Sequence, residues 1–101
     1  MLDFILLDDA EEDLLNAYNW YQSKDYGLGD RFLTAIHDGL TLIRQHPEIF
    51  PISIVGCRRA LVSKFLFEII YEQKRNMILV YSVFNCSQNP EKWKPRFLVE
   101  E

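Results

Sequence analysis

The fold is decided by residues 65–84, which read FLFEIIYEQKRNMILVYSVF. Aromatic and β-branched residues recur at every second position from Phe65 to Tyr71, which is the period of a β-strand. A polar turn at Lys74-Arg75-Asn76 separates this run from a second β-rich run, Met77 to Phe84. Cys57 to Ser63 reads as a preceding strand. Three consecutive strands with short links predict an antiparallel meander.

The first half of the chain has the period of helices instead. A short apolar strand, Phe4 to Leu7, precedes an acidic stretch in which Asp8 or Asp9 offers a helix N-cap, and we expect a first helix at about Ala10 to Lys24. A second helix is predicted from Leu28 or Gly29 to Gln45 and ends before Pro47. The glycines of the intervening Gly27-Leu28-Gly29 let the chain reverse, so the two helices should form an antiparallel hairpin.

These elements predict an α+β fold in the order β-α-α-β-β-β. The helical hairpin should pack on one face of a mainly antiparallel four-stranded sheet, with the first strand at an edge. Residues 1–101 are expected to form a single domain. Apolar residues at even-numbered positions leave the second sheet face partly apolar, which indicates a partner-binding surface; they are Leu66, Ile70, Ile78, Val80 and Phe84.

Charge is unevenly distributed in this chain of net charge −4. Residues 1–30 carry eight acids and one base, whereas residues 57–96 carry eight bases and three acids. The acidic whole argues against a general nucleic-acid binder, but the basic second half suits an acidic partner. No apolar run is long enough to span a membrane, and the N-terminus has no basic stretch typical of a signal peptide. We therefore expect a cytoplasmic protein.

No cofactor or metal site is predicted. Cys57 and Cys86 lack partners at metal-ligand spacing, and Gly27-Leu28-Gly29 lacks the pattern of a phosphate-binding loop. In the meander, the strands of the two cysteines flank a third strand and so lie about 9–10 Å apart, beyond the roughly 7 Å between Cα atoms that a disulfide needs. Both thiols should be free. Glu68 and Glu72 are interpreted as solvent-side strand residues rather than a catalytic carboxylate pair.

Seven segments in a fixed order resemble the RelE/ParE superfamily, the small toxins of bacterial type II toxin–antitoxin modules. The resemblance covers nearly the whole chain, and the segments are residues 10–14 (AEEDL), 18–21 (YNWY), 27–32 (GLGDRF), 46–51 (HPEIFP), 58–62 (RRALV), Phe65 with 69–71 (IIY), and 89–93 (NPEKW) followed by Arg96. The fold of that superfamily is the helical hairpin on a sheet predicted above.

The resemblance implies a toxin that is neutralised by a cognate antitoxin, in a toxin–antitoxin hetero-oligomer. ParE-like toxins poison DNA gyrase by binding, whereas RelE-like toxins are endoribonucleases that cleave mRNA in the ribosome. The Trp-Tyr helix, the Gly-Leu-Gly turn and the negative net charge place this chain closer to the ParE-like branch. A RelE-like nuclease and an inactive relative that only binds antitoxin or regulates remain the alternatives.

One departure from the superfamily bears on chemistry. Many relatives carry His-x-x-Arg-Asp-Pro after the last strand, where this chain has Asn85, Gln88 and Asn89 in place of the His, Arg and Asp. Because an amide cannot take up a proton near neutral pH, a general base at Asn85 is lost. No catalytic residue is therefore predicted, and the protein should not cleave RNA.

The resemblance and the basic second half together indicate residues that contact a target or antitoxin. They are Arg58, Arg59, Lys64, Leu66 and Ile70, with Lys92, Trp93, Lys94 and Arg96 near the C-terminus. Because neighbouring strand residues point to opposite faces, one of Arg58 and Arg59 can serve the second sheet face while the other holds a helix or loop. Two structural alternatives stand beside this interpretation: Arg59 could pair with an acid of the first helix, and Trp93 could tie the C-terminal segment to the sheet.

Overall fold

The computed structural model describes residues 2–62 and 64–85, with the side chain of Ile54 left out. Two helices lie on one face of a five-stranded sheet whose strand order is β1-β5-β4-β3-β2. The elements are β1 (Asp3–Leu6), α1 (Asp8–Lys24), α2 (Leu28–Gln45), β2 (Ile52–Ile54), β3 (Cys57–Val62), β4 (Phe67–Lys74) and β5 (Met77–Asn85).

The predicted α+β fold is confirmed. β3, β4 and β5 form the antiparallel meander, and β1 lies at an edge, where it pairs in parallel with β5. The sheet has one strand more than expected, because Ile52–Ile54 pairs with β3 at the opposite edge. A three-residue strand is too short to show a period of two in the sequence.

The main core lies between α2 and the sheet. Phe32, Ile36, Leu40 and Ile43 recur at helical spacing along α2 and are buried. They belong to the same buried cluster as the sheet residues Ile69, Tyr71, Ile78 and Val80. Each such burial stabilises the fold by roughly 1.5–3 kcal/mol, so the amphipathic face of α2 contributes much of the energy that holds the hairpin on the sheet, together with the α1 residues that pack against the same core.

The helix α1 begins earlier than predicted. Leu7 is its N-cap and makes no side-chain capping bond, so neither Asp8 nor Asp9 is the cap. Both lie instead in the first turn together with Glu11, where carboxylates interact favourably with the exposed N–H groups of the helix dipole. The acids therefore favour this helix end without capping it.

The reversal between the helices depends on two glycines with different roles. Gly27 has a φ of +84°, a left-handed conformation that side chains disfavour. Gly29 lies where the helices touch, and its N–H donates a hydrogen bond of 2.8 Å to Oε1 of Gln22. A Cβ at Gly29 would lie 2.8 Å from the backbone oxygen of Tyr18. Gly27 thus allows the turn between the helices, and Gly29 allows α1 and α2 to pack closely.

The prediction for the second sheet face was wrong for two residues. Ile78 and Val80 face the helices and belong to the main core. Ile78 pairs with Gln73 and Val80 with Tyr71, so even-numbered residues in this part of β5 share a sheet face with odd-numbered residues of β4. The register shifts by one residue between Ile70 and Tyr71, and this β-bulge reverses the parity beyond it. Sequence alternation alone does not reveal that reversal.

Neither of the two helices in the described part of the chain is long and apolar enough to cross a membrane.

Candidate functional site

Arg58 and Arg59 point to opposite faces of β3 and have different partners. Arg58 faces the helical side, where its Nη1 donates a 2.6 Å hydrogen bond to the backbone oxygen of Phe50. The hydroxyl of Tyr71, its cross-strand neighbour, donates a 2.8 Å bond to the backbone oxygen of Pro47. Together these two hydrogen bonds hold the loop between α2 and β2 against the sheet, so the role of Arg58 is structural.

Arg59 lies on the second sheet face and forms a two-point ion pair with Glu68. Its Nε and Nη2 donate bonds of 3.0 and 2.6 Å to the two carboxylate oxygens. The alternative that Arg59 pairs with an acid of the first helix is wrong, because α1 packs on the other face of the sheet. The side chain of Glu68 is only 14% exposed, so the pair is largely shielded from solvent on the carboxylate side. Such a bidentate pair holds the guanidinium in one orientation.

Exposed residues cluster around this ion pair, at the end of the sheet where β3 turns into β4. Leu61 is the cross-strand partner of Glu68 and is half exposed, as is Leu66 in the connection. Lys64, in the same connection, is also exposed. We call this set the β3–β4 surface: Arg59, Leu61, Lys64 and Leu66.

Leu61 was missed as a candidate in the sequence. It lies two positions after Arg59 on the same strand, and this spacing was the signal that could have identified it.

Ile70 does not belong to that surface. It is fully buried, in a cluster with Cys57 and Phe84 against which Tyr81 packs. Burial raises the pKa of the free Cys57 thiol to about 11, with a further increase from Glu72 and an opposing effect of Lys74. The second face is therefore less open than the alternation suggested, and Ile70 is a core residue.

Lys92, Trp93, Lys94 and Arg96 lie outside the described residues, as do Cys86, Gln88 and Asn89.

Asn85, where the resemblance implies a histidine, ends β5 beside Tyr21. Burial raises the pKa of Tyr21, and a hydrogen bond with the Asn85 side chain opposes the increase. The tyrosine hydroxyl therefore stays protonated near neutral pH and serves as a hydrogen-bonding group, not a base.

Asp13 joins α1 to β5 next to Asn85. Its Oδ2 accepts hydrogen bonds of 3.0 Å from the Ser82 hydroxyl and from the Val83 N–H. Ser82 is fully buried, so this carboxylate satisfies a polar group inside the protein. These two hydrogen bonds hold α1 against β5, next to the β-bulge.

Within residues 2–62 and 64–85, no group of three or more His, Cys, Asp or Glu side chains is placed to hold a metal ion.

Comparison with known proteins gives a family and a fold. A chain in the solved structure "Chromosomal ParDE TA system from P. aeruginosa" superimposes with a TM-score of 0.61 at 16% sequence identity, over 84% of this chain and 96% of that chain. At this identity the likeness shows the fold alone. No curated protein matches the sequence significantly. Residues 4–90 match the family described as "ParE toxin of type II toxin-antitoxin system, parDE". This match spans most of the chain, which therefore belongs to the ParE toxin family of type II toxin–antitoxin systems.

Proposed function

We propose that this ParE-family protein acts in the cytoplasm by binding DNA gyrase, and that a cognate antitoxin neutralises it in a hetero-oligomeric complex. The observation that carries the proposal is the family match over residues 4–90. The helical hairpin and sheet on which a ParE-like toxin is built are all present.

The groups around Asn85 favour binding over chemistry. Asn85 itself cannot accept a proton near neutral pH, and Tyr21 keeps its proton there. Asp13 is engaged as the acceptor for Ser82 and Val83. An inhibitor that acts by occupying its target needs none of these groups as an acid or a base.

For the antitoxin we propose the β3–β4 surface as the docking site. An acidic, amphipathic segment suits it, since Lys64 provides an exposed cation and Leu61 and Leu66 provide exposed apolar area. The segment can bind as a helix or as an added strand. The charge of Arg59 is balanced by Glu68 in their ion pair, so Lys64 supplies the net positive charge of this surface.

The structure allows a sharper test than substitution of Ile70, whose replacement by a charged residue would disrupt the core. Leu66 has a φ of +55°, a conformation that asparagine adopts more readily than leucine. The variant Leu66→Asn therefore removes apolar area without adding backbone strain. Combined with Lys64→Glu, it should weaken antitoxin binding at least about tenfold, or about 1.4 kcal/mol.

A matched control is Leu15→Gln on α1, because Leu15 is 60% exposed and Leu66 is 59% exposed. Titration calorimetry with the cognate antitoxin should find the affinity of the control within about twofold of that of the unmodified protein, which is a small difference in free energy. Equal weakening by both changes, or stronger weakening on replacing Asp8 and Asp9, would refute this docking site.

The target is tested with two assays on the purified protein. We expect inhibition of DNA supercoiling by gyrase and no effect on cell-free translation. Cleavage of mRNA in the ribosome would instead establish the RelE-like activity. Absence of toxicity on induction, with antitoxin binding intact, would identify an inactive regulatory relative.

A further inference from the structure

A cleft of about 420 Å³ lies between α1 and the end of the β4–β5 ladder. Three aromatic residues line part of it, from the helix on one side and the sheet on the other: Trp20, Tyr21 and Phe67. Its size is in the range of pockets that enclose small molecules or anchoring side chains. The cleft shares no lining residue with the β3–β4 surface, although Phe67 directly follows Leu66 in the chain.

Trp20 is the accessible part of this aromatic wall. It is 56% exposed, although its ring packs edge-on against Tyr21 with centroids 5.0 Å apart. Lys24 Nζ lies 5.0 Å from the centroid of the Trp20 ring, so the ring already attracts a cation. A half-exposed tryptophan beside a cleft is typical of the residues that dominate binding energy at protein interfaces.

The two ends of the cleft differ in charge. Residues three and four apart share a helix face, so Asp9 and Glu12 continue the stripe of α1 residues that line the cleft. Asp13, within the cleft, adds a third carboxylate toward the same end. The one basic residue of α1, Lys24, is at the other end. The N-terminal end of the cleft therefore favours a cation.

We propose that this cleft binds an extended segment of a partner protein. An aromatic or large aliphatic side chain of that segment fills the cleft beside Trp20, and a lysine or arginine a few residues away lies toward the acidic end of the cleft, near Glu12. This partner is opposite in charge to the acidic antitoxin segment proposed above. The protein would then have two separate interaction surfaces, and binding at the cleft does not depend on the identity of the toxin's target.

The test is an NMR titration of the ¹⁵N-labelled full-length protein with three capped synthetic peptides. The first, Gly-Lys-Gly-Trp-Gly, has both the anchor and the cation. The second replaces its lysine with glutamate, and the third replaces its tryptophan with glycine. The first peptide should shift amide signals at the cleft, among them those of Ala17 and Val83, with at least about tenfold higher affinity than either of the others.

Two variants locate the site. Asn16 lines the cleft and is exposed, so Asn16→Phe should fill the opening and reduce the affinity for the first peptide at least about tenfold. Asn19 is exposed on the same helix but does not line the cleft, so Asn19→Phe should leave the affinity unchanged.

Any of four results would overturn the proposal. They are equal binding of the three peptides, no shifts at the cleft, unchanged affinity of Asn16→Phe, and cleft shifts that depend on protein concentration without peptide. The last result would assign the cleft to a second copy of this chain.

Discussion

Replacing Gly29 with alanine should force the two helices apart. The added Cβ would lie 2.8 Å from the backbone oxygen of Tyr18 and 2.8 Å from Oε1 of Gln22. Gln22 could move, but it would then lose the 2.8 Å hydrogen bond that the Gly29 N–H donates to it. The oxygen of Tyr18 belongs to the helix backbone, so relief of that contact needs a shift of α1 against α2.

The size of the effect follows from opposing contributions. Alanine is favoured over glycine in a helix by up to about 1 kcal/mol. Overpacking of a closely fitted contact costs about 1–3 kcal/mol, and the lost hydrogen bond about 1 kcal/mol more. We therefore expect Gly29→Ala to lower the free energy of unfolding by about 1–3 kcal/mol.

Gly39→Ala is the matched control on the same helix. Its Cβ would meet Cγ2 of Val62 at 3.2 Å and Cδ1 of Ile69 at 3.4 Å, which are side-chain atoms that can shift by a few tenths of an ångström. The gain in helix propensity should offset this crowding, so the variant should stay within about 1 kcal/mol of the unmodified protein. Urea denaturation followed by circular dichroism measures both variants. A Gly29→Ala protein as stable as Gly39→Ala would refute the close-approach argument.

Two further predictions concern stability. Asp13→Ala removes the acceptor for the buried Ser82 hydroxyl and for a backbone N–H, and it should lower the free energy of unfolding by about 2–3 kcal/mol. The control Glu12→Ala, at an exposed neighbouring residue, should change that free energy by less than about 0.5 kcal/mol. Similar values for the two variants in urea denaturation would contradict the prediction. The pKa of Cys57 is raised by burial from about 9 to about 11, so the unfolded chain loses its thiol proton first and stability should fall as the pH rises through this interval, by up to about 2–3 kcal/mol. Cys57→Ala should lack this part of the alkaline loss in denaturation curves, and an identical loss in both proteins would show that the thiol is not responsible.

The elements with a strong period were predictable from the sequence. The stripe on α2 and the glycine reversal placed the helical hairpin, and the alternation in residues 65–84 placed the meander. The short strand Ile52–Ile54 was not predictable, because three residues contain too little periodicity and the strand exists through its pairing with β3. The predicted sheet face of Ile78 and Val80 was wrong for a similar reason, because the register between strands is a property of the tertiary structure.

The candidate site was only partly predictable. Alternation along β3 put Arg58 and Arg59 on opposite faces, but it could not name their partners. Arg58 bonds to a backbone oxygen in a loop, and Arg59 to Glu68, which the sequence suggested was merely a solvent-side residue. The alternation predicts that Ile70 lies on the exposed sheet face, away from the helices. Ile70 does face away from the helices, but it is fully buried. Orientation and exposure are separate properties, and the sequence pattern reports the first.

These partners decide how the basic residues can be used as probes of function. Truncation of Arg58 removes the donor that fixes Phe50, and truncation of Arg59 leaves the carboxylate of Glu68, 14% exposed, without its ion-pair partner. Either change lowers stability as well as any partner affinity, so loss of activity in such a variant does not by itself identify a contact. Lys64 and Leu66 are exposed residues of the β3–β4 connection, and their replacement disturbs the fold least. The effects of Lys64 and Leu66 variants on antitoxin or gyrase binding should therefore be measured first, and those of the two arginines interpreted only together with their unfolding free energies.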